Sequence, residues 1–428
     1  MGDEGGGDEE KQQPKDAVDL ASDPAKARPP TASFLACVAY VLCTVSAFTI
    51  CIPTSTRYVN SLGGVSSVAG VLVGLTPIAS GLFQPLAVPL LCRVPLKTVL
   101  IAFCGVNMVG NIAYAVGGYS GWSGTIFIAR AVLGLVGGPT YASTYVARTT
   151  GVKTRSLYMQ YVGVVVGCGY GLGPLLATLV EATCSAAGLD GVLLNANTAP
   201  GWAMALIFAF EAAFLACYMV EPPRFAATKP VVGKESSAVP PMPWARLVAV
   251  WIVVFVTPIN VGCWDVHTAF LAEQEWGMTV VHAGLYLGGL NLLAVPFGFI
   301  PVAACFTDRQ GLAVFGAMIL AADAFFWPHD SGLATKASVY GVGSVLLLIA
   351  AAFLKAFGWG LVSKLPPPQR RQLAISLNST IYMWGRGLGA VVAGYVTPGS
   401  ALATFLAAVN AAALFYTGTV WSALQVPS

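Results

Sequence analysis

Charged residues are scarce in this sequence: Asp, Glu, Lys and Arg make up 10% of its 428 residues, whereas hydrophobic residues make up 56%. A soluble enzyme of this length would carry far more charge on its surface, so the composition argues against one. The net charge is only +3 and the basic residues are divided among many loops, so we expect no nucleic-acid partner.

Sequence patterns that would hold a cofactor, a metal or a nucleophile are also missing. There is no Walker loop, Rossmann fingerprint, zinc-ligand spacing or catalytic triad. The ten cysteines lie mostly inside hydrophobic stretches and show no disulfide framework. We therefore expect neither an enzyme nor a cofactor, and the lack of an ATP site argues against a primary pump.

Apolar stretches long enough to cross a bilayer follow one another along most of the chain. A helix needs about 20 apolar residues to span the hydrocarbon core. The sequence therefore predicts an all-α membrane protein with twelve transmembrane helices, at residues 33–54, 64–91, 98–118, 123–147, 157–180, 200–220, 244–272, 279–306, 311–327, 337–363, 372–397 and 400–424.

Two polar stretches stand out from the apolar pattern, and the second divides the spans into two halves. Residues 1–30 are predicted to be a disordered tail, and residues 221–243 to be a linker between an N-terminal half, 31–220, and a C-terminal half, 244–428, with six spans each. If both termini lie on one side, most of the 22 Lys and Arg residues fall on that side. The positive-inside rule then places both termini in the cytosol.

Glycines recur at equivalent positions of the two halves. Gly70 and Gly74 in the second span match Gly284 and Gly288 in the eighth. Transporters built from two six-helix halves bring spans 2, 5, 8 and 11 face to face and need small residues where these helices pack. The recurrence favours such a pair of pseudo-symmetric halves.

Short motifs resemble those of the major facilitator superfamily. Asp308-Arg309-Gln310-Gly311 is similar to the family's loop signature, in which the acidic and basic residues latch helix ends; a plain basic loop with a turn glycine is the alternative. The fourth span resembles the family's Arg-x-x-x-Gly pattern and the fifth its helix-bending Gly-Pro pattern. The resemblance implies the major facilitator fold and gating roles for Asp308, Arg309, Gly311, Gly134, Gly138, Gly173 and Pro174.

A closer resemblance covers roughly residues 50–224. Ile52-Pro53-Thr54, Gly110-Asn111 and Thr198-Ala199-Pro200-Gly201-Trp202 look like the membrane domain of plant vacuolar SPX-MFS phosphate transporters, and more weakly like the lysosomal MFSD8 (CLN7)-like proteins. We expect no SPX domain before the first span, because a tail of 30 residues is too short to fold one. Tyr145 follows Ser143-Thr144, where that family usually has one or two arginines before the tyrosine.

Charges inside predicted spans are the candidate substrate ligands. Burying a charge in a membrane costs several kcal/mol, so such residues are functional by default. Arg130 and Arg386 lie in spans expected to line a central cavity, and a guanidinium binds oxyanions through paired hydrogen bonds. We predict substrate binding by both, by Lys355 and by Tyr145. The alternatives are pairing with a neighbouring helix for the arginines, and snorkelling to the interface for Lys355.

Two acidic residues are candidates for proton coupling. Asp265 lies near the non-cytosolic end of the seventh span, where a water-exposed interfacial acid is the alternative. Glu211 lies at the middle of the sixth span, where it could exchange protons or bond to a neighbouring helix. Asp323 is interpreted more simply as a residue at the end of a helix.

Together these observations predict a secondary active transporter that moves a small solute by alternating access. The resemblance and the two arginines favour an inorganic anion such as phosphate, with protons as possible coupling ions. The alternatives are an organic solute or sugar carrier, an anion channel, or a non-transporting sensor. We expect a monomer in contact with membrane lipid; the resemblance implies a vacuolar, lysosomal or other endomembrane rather than the plasma membrane.

Overall fold

The computed structural model describes residues 27–222, 241–302, 305–327, 332–367, 370–396, 399–422 and 424. Within these ranges the chain is helical and contains no β-strand, so the predicted all-α fold is confirmed. Most of the predicted tail, 1–30, and of the predicted linker, 221–243, lies outside the described residues.

The helices of the N-terminal half account for the first six predicted spans. They are α1 (Thr31–Thr49), α2 (Ser55–Ser61), α3 (Val68–Phe83), α4 (Ala87–Arg93), α5 (Leu96–Ser120), α6 (Gly124–Gly134), α7 (Gly138–Thr149), α8 (Val152–Ala186) and α9 (Ala199–Tyr218).

The helices of the C-terminal half account for the other six. They are α10 (Trp244–Phe270), α11 (Val280–Ala294), α12 (Asp308–Asp323), α13 (Leu333–Lys364), α14 (Arg371–Tyr395) and α15 (Gly399–Thr419). A π-helical turn, Leu271–Glu275, extends α10.

In the described part of the chain, 11 helical segments are long and apolar enough to cross a membrane. They correspond to every predicted span except the eleventh. That span is α14, which has 25 residues but is more polar because it carries Arg386 and several hydroxyl and amide side chains. Since α14 packs between α3 and α10, a twelfth span is consistent with the fold.

Several predicted spans are interrupted, among them the first and the fourth. The span predicted at 33–54 ends as a helix at Thr49, and Pro53, which has no N–H for a helical hydrogen bond, lies in the turn that follows. The span predicted at 123–147 is split into α6 and α7 by residues 135–137. At Gly137 the backbone passes so close to the Gln84 amide that any Cβ would overlap it.

Glycines form the contacts between the two halves. On one side, α3 packs on α14, and a Cβ at Gly70 or Gly74 would overlap the backbone of α14. On the other side, α8 packs on α11, where Gly284 and Gly288 touch the carbonyl groups of Pro174 and Gly171. The recurring glycines predicted from the sequence therefore lie at these two seams, where the absence of side chains lets the backbones meet.

Candidate functional site

Arg386 lies fully buried on α14, where the two halves meet. Its Nη2 donates to Oδ2 of Asp265 on α10, and the two side chains are 1% and 3% exposed. The guanidinium lies 3.8 Å from the ring centroid of Tyr170 on α8 and 5.2 Å from that of Phe48 on α1. An ion pair of the C-terminal half thus packs against aromatic rings of the N-terminal half.

Close packing of α10 on α14 brings this pair together. A Cβ at Gly262 would overlap the main-chain oxygen of Arg386, and a Cβ at Gly389 would overlap that of Ile259. With the backbones in contact, Asp265, one turn beyond Gly262, reaches the guanidinium directly. We refer to Asp265 and Arg386 as the central pair. The sequence predicted different roles for these two residues and did not predict that they touch.

The central pair leaves part of its hydrogen-bonding capacity unused. Both Nε and Nη1 of Arg386 are buried and make no hydrogen bond of good geometry, although the Tyr382 hydroxyl lies close to the guanidinium. Leaving buried donors unpaired costs free energy, so the site holds two charge-assisted donors ready for an acceptor. A small oxyanion has the chemistry to accept from them.

Lys355 adds a second cation beside the central pair. Its Nζ on α13 lies 4.6 Å from the ring centroid of Tyr382, one turn before Arg386 on α14, and 5.5 Å from that of Trp359. The ammonium is therefore stacked on aromatic rings. Cation–π contacts of this kind stabilise a partly buried charge without neutralising it. Lys355, Arg386 and Asp265 together carry a net positive charge.

Arg130 bonds to the main chain of α1, and its predicted role in substrate binding stays a prediction. It is 1% exposed on α6, and its Nη1 and Nη2 donate to the carbonyl oxygens of Ala47 and Phe48 at 3.0 and 2.7 Å. These carbonyls belong to the last turn of α1, which ends at Thr49, and the Phe48 carbonyl also accepts from the Cys51 thiol at 3.6 Å. The predicted alternative, pairing with a neighbouring helix, describes these contacts. Its guanidinium also lies 5.8 Å from the Phe48 ring, whose centroid is near Arg386 as well.

Tyr145 and Glu211 lie apart from the central pair. Tyr145 of α7 is 1% exposed within the hydrophobic cluster of the N-terminal half. Glu211 of α9 is 5% exposed, and its Oε1 has no hydrogen-bond partner. The thiols nearest to Glu211 include those of Cys37 and Cys104, in the same cluster. The predicted roles of both residues stay predictions.

The residues predicted to gate the transporter make separate contacts. Asp308 begins α12 and accepts from Nζ of Lys364 at 2.7 Å, whereas Arg309 lies 5.1 Å from the Trp421 ring centroid. The acidic and basic residues therefore hold different segments of the C-terminal half, the end of α13 and the segment after α15. Gly311 packs flat against the ring of Phe357 on α13.

The remaining predicted gating residues lie at helix contacts of the N-terminal half. A Cβ at Gly134 would overlap Thr76 and Ala79 of α3, and a Cβ at Gly173 would overlap Thr49 of α1. Gly138 begins α7, immediately after the break in the fourth span. Pro174 lies inside α8.

A carboxylate that the sequence did not single out caps α5. Glu221, just after α9, accepts from the main-chain N–H groups of Leu96 and Lys97 at 2.7 and 2.8 Å. A negative charge at a helix N-terminus is favourable. Glu221 thus supplies an acidic group at the start of α5, as Asp308 does at the start of α12.

A second charged cluster lies at the C-terminal end of α8. Arg57 of α2 donates to both carboxylate oxygens of Glu181, at 2.8 and 2.6 Å, and to Oδ1 of Asn197 at 2.8 Å. Hydrogen bonding to Glu181 raises the pKa of Arg57. The contacts join α2, α8 and the segment before α9.

Comparison with known proteins identifies the family. Residues 35–390 match the sequence model of the Major Facilitator Superfamily. The chain belongs to this superfamily.

Individual relatives match parts of the chain. An SPX domain-containing membrane protein of Arabidopsis thaliana is 27% identical over 188 residues, which is 44% of this chain and 26% of that protein. An uncharacterized protein of Schizosaccharomyces pombe is 24% identical over 68% of this chain and 61% of its own length. The chain thus spans only part of the length of these relatives.

Solved structures share the fold at low sequence identity. The D-xylose-proton symporter superposes with a TM-score of 0.70 at 13% identity, covering 92% of this chain and 98% of that one. The human organic anion transporter MFSD10 has a TM-score of 0.65 at 16% identity, covering 91% and 100%. A bacterial homolog of the human lysosomal transporter Spinster has a TM-score of 0.61 at 16% identity, covering 91% and 95%. These likenesses confirm the major facilitator fold.

Proposed function

We propose that this protein is a secondary active transporter that carries a small inorganic anion such as phosphate together with a proton, by alternating access across an endomembrane. The observation that carries the proposal is the central pair. Arg386 is buried against the N-terminal half, bonded to Asp265 through one nitrogen and unpaired at the other two.

The charge balance around the central pair favours an anion. Arg386 and Lys355 place two positive charges near the seam, and Asp265 supplies one negative charge. An entering anion neutralises the excess and accepts hydrogen bonds from the free nitrogens of Arg386. A neutral sugar would leave the excess charge uncompensated, which is costly in a buried site.

Competition for Arg386 supplies a coupling between proton and anion. When Asp265 is ionised, it holds the guanidinium; when it is protonated, that attraction is lost and Arg386 is available to the anion. Binding of the two ligands is then mutually favourable by linkage. The charge of the proton offsets part of the charge of the anion. When both enter together, the net charge of the site therefore changes less than when the anion enters alone.

The glycine seams provide the motion that alternating access needs. In carriers with two repeat-built halves, the halves rock around a site near the middle of the membrane. Phe48 and Tyr170 move with the N-terminal half, whereas Arg386 and Asp265 move with the C-terminal half. Rocking therefore exposes the guanidinium to one side or the other. The endomembrane location and the cytosolic termini follow from the resemblance to vacuolar transporters and from the distribution of basic residues.

A second candidate is a carrier of organic anions. The rings of Tyr170, Phe48 and Tyr382 surround the two cations at 3.8–5.2 Å. Such rings suit a carboxylate or sulfonate attached to an apolar body. Uptake of labelled phosphate can be measured in the presence of a competitor. Stronger inhibition by aromatic carboxylates than by arsenate would favour this candidate.

Uptake of radiolabelled phosphate into proteoliposomes with an inward proton gradient tests the proposal. Arg386→Gln should abolish uptake because the anion loses its ligand. Lys336→Gln, which removes an exposed cation at the start of α13, is the matched control and should retain uptake. Normal uptake by Arg386→Gln in verified, inserted protein would refute the anion site.

A further inference from the structure

A buried cluster of one acid and two amides lies inside the C-terminal half. Nδ2 of Asn410 on α15 donates to Oδ2 of Asp323 on α12 at 2.6 Å, and to Oδ1 of Asn260 on α10 at 2.7 Å. Nδ2 of Asn260 donates back to Oδ1 of Asn410 at 2.8 Å and to the Val256 carbonyl at 3.0 Å. We call Asp323, Asn410 and Asn260 the acid–amide cluster. Asp323 does end α12, as predicted, but it is fully buried.

The charge of Asp323 has no compensation in this cluster. Each amide nitrogen already makes two hydrogen bonds, so the amides have no N–H group left to donate. Oδ1 of Asp323 has no partner at all, and Asp323 forms no ion pair among the residues that the structure describes. An ionised carboxylate buried without a cation costs several kcal/mol, whereas a neutral acid costs at most one unmade hydrogen bond.

The groups around Asp323 offer no alternative source of charge. From α10, the titratable neighbour is the Cys263 thiol, which donates to the Gly389 carbonyl at 3.1 Å. From α15, Asn410 faces it. Within the described chain, no Lys, Arg, His or Tyr of α12, α13 or α15 interacts with Asp323.

A cleft leads from the cluster toward the end of α12 at which Asp308 lies. It has a volume of about 20 Å³, room for roughly one water molecule, and is lined by residues that include Asn410, Thr257, Gly316, Leu312 and Thr417. Leu312 is one turn from Asp308 and Thr417 is near the end of α15, so the lining of the cleft extends from the buried Asn410 amide toward that end of the bundle. Small molecules such as water can carry a proton along such a route.

We propose that the acid–amide cluster is a second proton-binding site of this protein, in which Asp323 carries the proton and exchanges it through this cleft. The site lies within the C-terminal half and is distinct from the central pair. Its only shared element with that pair is α10, which carries both Asn260 and Asp265. The proposal does not depend on the identity of the transported solute.

Infrared spectroscopy of the purified full-length protein at neutral pH tests this site without any transport assay. The carbonyl-stretch region of protonated carboxyl groups should contain an Asp323 band that is lost in Asp323→Asn, which keeps the shape of the side chain; a band from Glu211, another buried acid, would remain. Asp190→Asn, at an exposed loop residue, is the control and should keep the band. An Asp323→Asn spectrum identical to that of the wild type would overturn the proposal.

Further measurements separate the alternatives. Asn410→Ala should keep the Asp323 band but shift it, because the carboxyl loses its hydrogen bond; disappearance of the band would overturn the proposal. Transfer to D₂O should shift the band as the proton exchanges, and a band that never shifts would contradict access through the cleft. A band that appears only when sodium is replaced by a bulky organic cation would mean that Asp323 binds a metal ion instead. Asp265→Asn should leave the Asp323 band unchanged. A negative result for the acid–amide cluster is therefore distinguishable from a negative result for the central pair.

Discussion

Replacing Asp265 with Asn tests the competition between the acid and the anion for Arg386. In the wild-type protein, the ionised Asp265 carboxylate bonds directly to Nη2 of Arg386 and competes by its charge with an anion at the other two nitrogens. The variant keeps a side chain of the same shape and removes the negative charge. Arg386 is then a buried cation without a counterion, and an entering anion becomes that counterion.

The size of the effect follows from the burial of the pair. Both side chains are at most 3% exposed. Removing one partner from a buried ion pair typically costs about 3–5 kcal/mol because a charge is left uncompensated. If an anion recovers about 3 kcal/mol of that cost, phosphate binds roughly a hundredfold more tightly to the variant, since 1.4 kcal/mol is a factor of ten.

The pH dependence has a defined sign. At mildly alkaline pH, Asp265 of the wild-type protein is ionised and competes, so the difference from the variant is large. As the pH falls and Asp265 takes up a proton, wild-type binding tightens and approaches that of the variant. The variant itself shows little pH dependence from this position, and gradient-driven uptake is lost while phosphate exchange is retained.

Equilibrium binding of labelled phosphate to purified protein, measured across this pH range, is the assay. Glu211→Gln is the informative comparison, because it neutralises another buried acid, one that lies on α9 of the N-terminal half. If Glu211→Gln abolishes the pH dependence and Asp265→Asn leaves both affinity and pH dependence unchanged, the reasoning about the central pair is wrong and the predicted coupling role of Glu211 gains support.

Three further outcomes follow from the contacts. Arg130→Ala should lower the free energy of unfolding by roughly 1–3 kcal/mol for each carbonyl at the end of α1 that loses its donor, as a fall in melting temperature would show; unchanged stability would contradict the structural role. Gly74→Val should cost about 1–3 kcal/mol and abolish uptake, because its side chain meets the Gly387 backbone at the seam; full uptake would mean that the seam need not be close. Asp308→Asn should change stability by less than about 1 kcal/mol, because Lys364 is 53% exposed, while altering the uptake rate; a large loss of stability would refute this.

The fold could be predicted from the sequence because the bilayer imposes it. Length, apolarity and the distribution of basic residues predict the spans, and glycine recurrence at Gly70 and Gly284 predicts where the halves meet. Helix ends were less predictable: α1 ends before Pro53, and the fourth span breaks at 135–137 where the chain passes Gln84. These features depend on tertiary contacts, which a window of sequence does not contain.

The site was predictable in composition but not in pairing. Buried charge is rare enough in a membrane that Arg386, Asp265 and Lys355 stood out by type alone. Which charges touch depends on how α10 packs on α14, and this could not be inferred without the structure. Arg130 shows the same limit. It donates to two main-chain carbonyl oxygens, and because every residue has a main-chain carbonyl, the sequence does not indicate which ones an arginine will contact. Tyr170 was missed, although its position between Gly169 and Gly171 on a seam helix was an available signal.

Counterflow tests the central claim of alternating-access transport most directly. Proteoliposomes are loaded with unlabelled phosphate, and uptake of labelled phosphate is followed with and without a pH gradient. The account predicts saturable uptake that is accelerated by internal phosphate and driven by an inward proton gradient. Flux that neither saturates nor responds to internal phosphate would indicate a channel, and no flux in correctly inserted protein would contradict phosphate transport altogether.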